Sequence, residues 1–180
     1  MNMDSPEMTI ETARLRLVPY APKHILALLD GYEPFAASFG IPTAEGLREM
    51  YNSGNISEAW LIQLRATTTA DSWQHGFAVV HVARGLVIGT VGFKGPPDAS
   101  GVVELAYGIA PSFQGQGYAT EAAQGAIAMA LADDRVRRIR AHTLPAANAS
   151  TRVLTKCGFD FVGEVVDPED GRVWRWERGR

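Results

Sequence analysis

Tyr107-Gly108-Ile109-Ala110-Pro111-Ser112-Phe113-Gln114-Gly115-Gln116-Gly117-Tyr118-Ala119-Thr120-Glu121 is the stretch whose reading decides the fold. Apolar alternation runs up to Ile109, a glycine turn follows, and an alanine-rich helical pattern begins after Gly117. A strand that enters a helix through Gln114-Gly115-Gln116-Gly117 presents backbone N–H groups that no intrahelical carbonyl accepts. The helix dipole adds a positive potential at the same place, so the junction has the outline of a phosphate cradle. A glycine pair between strand and helix also serves turn geometry alone, and that alternative stays open on the motif by itself. No Gly-Lys-Ser/Thr follows, which excludes a P-loop, and the third glycine of the dinucleotide fingerprint is absent.

Working outward, Val103, Leu105, Tyr107 and Ile109 alternate with Val102, Glu104, Ala106 and Gly108 as one strand. Residues 76–82 and 86–93, rich in Val, Ile and Phe, form a hairpin around Ala83-Arg84-Gly85. Downstream, Ala119, Ala122, Ala123, Ala126, Ile127 and Ala130 recur at helical spacing, and their small size lets the helix lie close to a sheet. Residues 138–143 then make a strand parallel to the one before the helix, a βαβ crossover. Asn148 or Ser150 caps a helix that buries Val153, Leu154 and Cys157 and ends at Gly158. Residues 159–165 and 173–176 close the sheet as a terminal hairpin.

At the front, Leu15 and Leu17 mark a strand, and Pro22 opens a helix that Gly31 stops. The aromatic and proline-rich residues 32–42 read as an irregular segment, and residues 43–51 as a weak helix. Residues 60–65 alternate as a strand. Residues 1–9 are expected to be a flexible leader, and residues 10–180 a single domain.

The chain has 180 residues, 46% of them hydrophobic and 21% charged, enough for a substantial core. A net charge of −3 without a basic block argues against nucleic acid as a partner. The one cysteine, Cys157, lacks CxxC or Cys/His spacing, which points away from a metal site and a disulfide scaffold and toward the cytoplasm. No apolar run is long enough to span a bilayer, so no membrane partner is expected. His142 reads as a satisfied or solvated ring, Cys157 as core, and Trp174 with Trp176 as packing on one strand face.

The combination resembles the GNAT superfamily of acetyl-CoA-dependent N-acetyltransferases, whose signature is a strand followed by Gln/Arg-x-x-Gly-x-Gly/Ala. Here Gln116-Gly117-Tyr118-Ala119-Thr120-Glu121 is similar to the family's pyrophosphate loop and helix start. The segment from Asn148 to Phe159 is similar to its Asn-containing helix ending in Lys-x-Gly-Phe. Ile10-Glu11-Thr12-Ala13-Arg14-Leu15-Arg16-Leu17 resembles the opening of the RimJ/RimL-like branch, which includes acetyltransferases of protein N-termini. The resemblance implies a GNAT fold: a mixed, mostly antiparallel α/β sheet of about six or seven strands, helices on both faces and one βαβ crossover.

The resemblance also implies acetyl-CoA as cosubstrate, no metal, and direct attack by an amine in a ternary complex. Backbone groups of Ile109 and Ala110 would hold the pantetheine arm. Gln114, Gly115, Gln116, Gly117, Tyr118, Ala119 and Thr120 would form the cofactor loop, with residues 116–120 on the pyrophosphate and Asn148 a polar contact to the arm. Transfer to an amine requires that an ammonium lose its proton, and Glu104 is the acid/base candidate on the strand leading into the cradle. Ser150 is the candidate donor to the departing thiolate. A solvent-facing carboxylate and a helix-cap serine are the alternatives for these two. Many relatives carry a tyrosine acid where this chain has Leu154, so that role falls to Ser150, to water or to nothing. The acceptor is expected to be a protein N-terminal amine, or else a polyamine, amino acid or antibiotic. A CoA-binding sensor without turnover and an aromatic interaction module around residues 32–39 are the non-catalytic alternatives. A homodimer completing the acceptor pocket is compatible with all of these readings.

Overall fold

The computed structural model describes residues 8–53 and 56–180, so most of the expected leader lies outside the described residues. Among the described residues eight strands form one mixed sheet in the order β1-β2-β3-β4-β5-β6-β8-β7. They are β1 (Ile10–Glu11), β2 (Leu15–Pro19), β3 (Phe77–His81), β4 (Leu86–Phe93), β5 (Val102–Ile109), β6 (Arg138–Thr143), β7 (Asp160–Asp167) and β8 (Gly171–Gly179). The helices are α1 (Pro22–Asp30), α2 (Tyr32–Phe39), α3 (Leu47–Ser53), α4 (Glu58–Ala66), α5 (Ser72–His75), α6 (Tyr118–Ala132) and α7 (Ala149–Lys156). The extra strand relative to the sequence reading is β1, two residues that pair with Arg16 and Leu17.

All neighbouring strands are antiparallel except β5 and β6, which α6 joins as the expected crossover. The two faces of the sheet carry separate apolar layers. On one, Leu15, Leu17, Val79, Ile88, Val103, Leu105 and Ile109 pack against Ala122, Ala123, Ala126 and Ile127 of α6 and Leu154 of α7. The alanines permit the close approach that the sequence predicted. On the other, Ala78, Val80 and Val87 pack beneath Ile25, Leu28, Phe35, Leu47 and Leu64 of the helices between β2 and β3.

Two local expectations are corrected. Residues 60–65, read as a strand, belong to α4: the Ser57 side chain accepts the Trp60 N–H as an N-cap, and Trp60, Leu61 and Leu64 put apolar groups on one helical face. A six-residue apolar pattern fits both periods, and the cap decides. Residues 32–42, read as irregular, contain α2. Phe35 and Phe39 stack at 5.0 Å, and Gly40 closes the helix in the left-handed region at φ 86°.

One departure from regular pairing positions the site. β5 pairs with β6 only through Val102, Glu104 and the residue between them, opposite Arg138, Ile139 and Arg140. Beyond Glu104, β5 stays with β4 as far as Ile109, whereas β6 stays with β8 as far as Thr143. The strands therefore diverge into a wedge, and α7 follows β6 along it.

Candidate active site

The wedge contains a cavity of about 440 Å³, floored by Tyr107, Gly108 and Ile109 of β5 and walled by the α6 N-terminus and one side of α7. Gly115 and Gly117 sit at its rim with φ of +73° and +84°, backbone geometry that L side chains rarely adopt. Nothing lies within 4 Å of a Cβ placed on Gly115, so the loop is open toward the cavity. Gly117 is the N-cap of α6, and no side chain caps the helix. The first N–H groups of α6, at Tyr118, Ala119 and Thr120, are thus presented to a ligand by geometry that a side-chain cap would otherwise have consumed. Arg152 and Lys156, one turn apart on α7, add positive charge to the facing wall.

The expected cofactor residues do not all meet there. Ile109, Gln114, Gly115, Gly117, Tyr118, Ala119 and Thr120 line the cavity together with Ser150. Ala110 does not: it is fully buried, and its N–H donates to the Ile88 carbonyl at 2.8 Å, toward β4. In an antiparallel pair this parity turns the backbone groups of Tyr107 and Ile109 to the opposite side, into the wedge. The Gln114 side chain donates to the Ile109 carbonyl at 2.8 Å and braces the loop. Gln116 lies outside the lining, its side chain on the Ser112 carbonyl. Tyr118 contributes its backbone, since its hydroxyl is buried against His81 Nε2 at 2.8 Å. Asn148 is the cap of α7: its Oδ1 accepts the Thr151 N–H, and Thr151 Oγ1 accepts the Asn148 N–H in return. That releases Ser150 from capping.

Glu104 and Ser150 both line a smaller cavity of about 150 Å³ at the apex of the wedge. Glu104 Oε1 is 2.9 Å from Lys94 Nζ and 3.0 Å from His142 Nδ1. Arg175 Nε donates to His142 Nε2 at 3.1 Å, so Nδ1 is the ring atom that donates to Glu104. Burial opposes the Lys94 charge, but Glu104, Asp170 and Asp167 outweigh it and raise the lysine pKa. His142, read from the sequence as satisfied or solvated, is thus a satisfied link in an Arg175–His142–Glu104 chain. The Tyr107 hydroxyl donates to the Ser150 carbonyl at 3.2 Å and stands between the two cavities. Burial, partly offset by hydrogen bonding from the Ser150 side chain, pushes its pKa up to about 12, so it remains a phenol at neutral pH.

Several residues of the site escaped the sequence reading. Arg14, from the turn before β2, grips Glu121 of α6 at 2.7 Å and donates through Nη1 to the Gln116 carbonyl at 3.0 Å. Nothing local signals a partner so far along the chain. Arg152 and Lys156 were legible as an i, i+4 basic pair on the exposed face of α7. Leu154 is fully buried in the core and offers no polar group. Cys157 is buried, Trp176 packs in the same core with Trp174 against it, and both tryptophans lie away from the insert helices. Among the described residues no cluster of His, Cys, Asp or Glu is arranged to hold a metal, and no helix is long and apolar enough to cross a membrane.

A family model described as an acetyltransferase (GNAT) domain matches residues 14–160. The chain is 33% identical over 99 residues to an uncharacterised N-acetyltransferase, YjdG, of Bacillus subtilis strain 168. That match spans 55% of this chain and 56% of the relative, little more than half the relative's length. Among solved structures, the ribosomal-protein-S5-alanine acetyltransferase of Vibrio fischeri superposes with a TM-score of 0.65 at 16% identity, over 96% of this chain and 97% of that one. RimJ of Mycobacterium smegmatis, solved with CoA-disulfide, superposes with a TM-score of 0.63 at 18% identity, over 96% of this chain and 87% of that one. At these identities the structures establish a shared fold.

Proposed function

This chain belongs to the GNAT acetyltransferase family, and on that premise we propose that it transfers an acetyl group from acetyl-CoA to a primary amine by direct attack in a ternary complex. A protein N-terminal amine is the proposed acceptor, in keeping with the RimJ- and RimL-type proteins among its structural neighbours. The observation that carries the reading is the wedge cavity, where an uncapped helix N-terminus behind Gly115 and Gly117 faces a basic helix wall.

The residues present fit such a ligand. The α6 N–H groups, with Arg152 and Lys156 opposite, suit a pyrophosphate. The backbone groups of Tyr107 and Ile109 that face the wedge suit the amides of an extended arm. Acetyl-CoA, when bound, supplies an activated acyl group on a thiol leaving group. Glu104 is proposed to take the proton from the attacking ammonium, with His142 and Arg175 holding the carboxylate in place. Ser150 is proposed to donate a hydrogen bond to the departing sulfur; it lines both cavities, and Leu154, buried in the core, offers no polar group for that role.

Leu154 also favours a second reading, a CoA-binding sensor without turnover. Two measurements separate them. Calorimetry with acetyl-CoA must show binding under either reading, and its absence removes both. Thiol release across a panel of amines, including peptides beginning with Ala, Ser or Met, is expected only of the enzyme. Glu104→Gln is expected to lower turnover by about a hundredfold and to alter the pH–rate profile. An unchanged profile removes Glu104 from the role of base.

A further inference from the structure

The wedge cavity continues, through Met50, Tyr107 and Gly108, into a second cavity of about 330 Å³ on the face of the sheet beneath the insert helices. Its floor is Thr90, Gly92 and Ala106 of β4 and β5, and its walls include Met50, Tyr51, Trp60, Phe93 and Tyr107. Among the described residues no carboxylate, lysine or arginine lines it. The imidazole in its lining, His75, accepts the Asp71 N–H at Nδ1, so that nitrogen carries a lone pair and the ring brings no positive charge in this arrangement.

From this continuity and this lining we infer that the acceptor carries a bulky apolar or aromatic side chain on its amine-bearing residue, and that this cavity holds that side chain. The inference rests on the acetyltransferase reading above and names the acceptor class for it. The charge balance makes the choice. Within this cavity a polyamine or a polycationic antibiotic would set a second ammonium against a lining that offers no carboxylate, and a free amino acid would set its carboxylate against one that offers no cation, since Lys94, Glu169 and Asp170 border only the adjoining spaces. The first residue of a peptide has neither problem, because its carboxyl group is an amide. Its amine can reach Glu104, which neighbours Ala106 and Tyr107 at the shared edge of the two cavities. Beyond Trp60 and Phe93 the cavity opens into a further space of about 620 Å³ bordered by Lys94, Pro96 and Glu169, an exit for the rest of the peptide. Trp60 and Tyr51 of the insert helices line it with aromatic residues, which suits a large flat or branched group over a methyl.

The test compares initial rates of thiol release for peptides identical except at the first residue, Gly, Ala, Leu or Phe, with spermidine alongside. Burial of the larger side chain is expected to raise kcat/KM for the Leu and Phe peptides about ten- to a hundredfold above the Ala peptide. Gln74→Trp, an exposed position on the cavity rim, is expected to push that ratio toward one by filling the space. An Ala or Gly peptide turned over as well as the Phe peptide, a preference for spermidine, or a ratio untouched by Gln74→Trp overturns the inference and leaves the acetyltransferase reading standing. Acetyl-CoA binding without thiol release for any of the amines overturns the catalytic reading, and the inference falls with it.

Discussion

Replacing Arg14 by Gln tests whether a residue outside the motif controls the cofactor loop. Arg14 Nε meets Glu121 Oε2 at 2.7 Å, Nη1 meets the Gln116 carbonyl at 3.0 Å, and the guanidinium carbon lies 4.3 Å from the centre of the Tyr118 ring. The Arg14 side chain is 44% exposed, so each charged contact is worth about 0.5–1 kcal/mol after solvent screening. The substitution is therefore expected to destabilise the fold by about 1–2 kcal/mol, or about 2–8 °C in Tm for a chain of this size. The share that bears on the loop is the Gln116 contact, and its loss is expected to raise the acetyl-CoA Kd about two- to fivefold. The pH dependence gives a second readout. Burial opposes the Glu121 charge, but bonds from Thr12 and from the Arg14 backbone and side chain together hold its pKa below the ordinary 4.5. A depressed carboxylate contributes stability that is complete above the unfolded pKa and disappears as pH falls through the lower folded value. The difference in stability between wild type and Arg14→Gln should accordingly be full near about pH 7 and shrink on acidification below about 4.5. Denaturant melts across that range and calorimetry with acetyl-CoA measure both effects. A lower Tm with unchanged Kd would show that Arg14 only packs, and a difference independent of pH would refute the Glu121 pairing.

Gly117→Trp is expected to abolish acetyl-CoA binding, because φ is +84° there and a Cβ would already stand 3.3 Å from the Arg14 guanidinium; retained affinity in calorimetry contradicts the cradle assignment. Tyr107→Phe removes the donor to the Ser150 carbonyl and is expected to lower stability by about 1 kcal/mol and kcat by about tenfold. Since the phenol titrates at about 12, the pH–rate profile of Tyr107→Phe should keep its wild-type inflections, and a lost inflection would reassign one of them to Tyr107. Cys157 is buried, with its pKa raised by burial against a smaller opposing effect of Arg178, and should react with a thiol reagent at least about a hundredfold more slowly in the native protein than in denaturant. Equal rates would place the thiol at the surface.

What the sequence made legible follows the range of the interactions concerned. The strand-to-helix junction at residues 107–121 could be read because glycine conformation and helix-end chemistry are local. The hairpin of β3 and β4 and the crossover from β5 to β6 could be read because period-2 patterns and a short turn sit side by side. The cap of α7 was narrowed to two residues, and the Asn148–Thr151 reciprocal bonds chose between them. Residues 60–65 failed for the converse reason: the apolar pattern was too short to separate two periods, and the deciding signal was the serine three residues before Trp60. The grip of Arg14 on Glu121 spans 107 positions, and a single sequence carries no record of such pairings. The apolar cavity was equally hidden, since its walls come from α3, α4, α5, β4 and β5, and Tyr107 alternates like an ordinary strand residue.

Strand parity explains why the proposed arm-binding role passes from Ala110 to Tyr107 and Ile109. β6 is committed to β8 along six residues, from Arg138 opposite Gly179 to Thr143 opposite Trp174, so it cannot follow β5 past Glu104. β5 keeps its β4 partner from Leu105 to Ile109, and the Ala110 N–H bond to Ile88 fixes which residues point that way. The alternate residues, Tyr107 and Ile109, are left facing a wedge in which, among the described residues, no strand runs. A buried backbone group without a partner costs about 1–3 kcal/mol, so the fold must supply substitutes there. The Gln114 side chain serves the Ile109 carbonyl, and the Tyr107 hydroxyl reaches across to the Ser150 carbonyl and ties the opening turn of α7 to the strand. Under the proposed function, an extended ligand carrying amides would meet the remaining demand as an added strand does, with its anionic end toward the α6 N-terminus. The divergence of two strands, and not any one motif residue, is therefore what opens the space in front of the glycine loop that the proposed cofactor would fill.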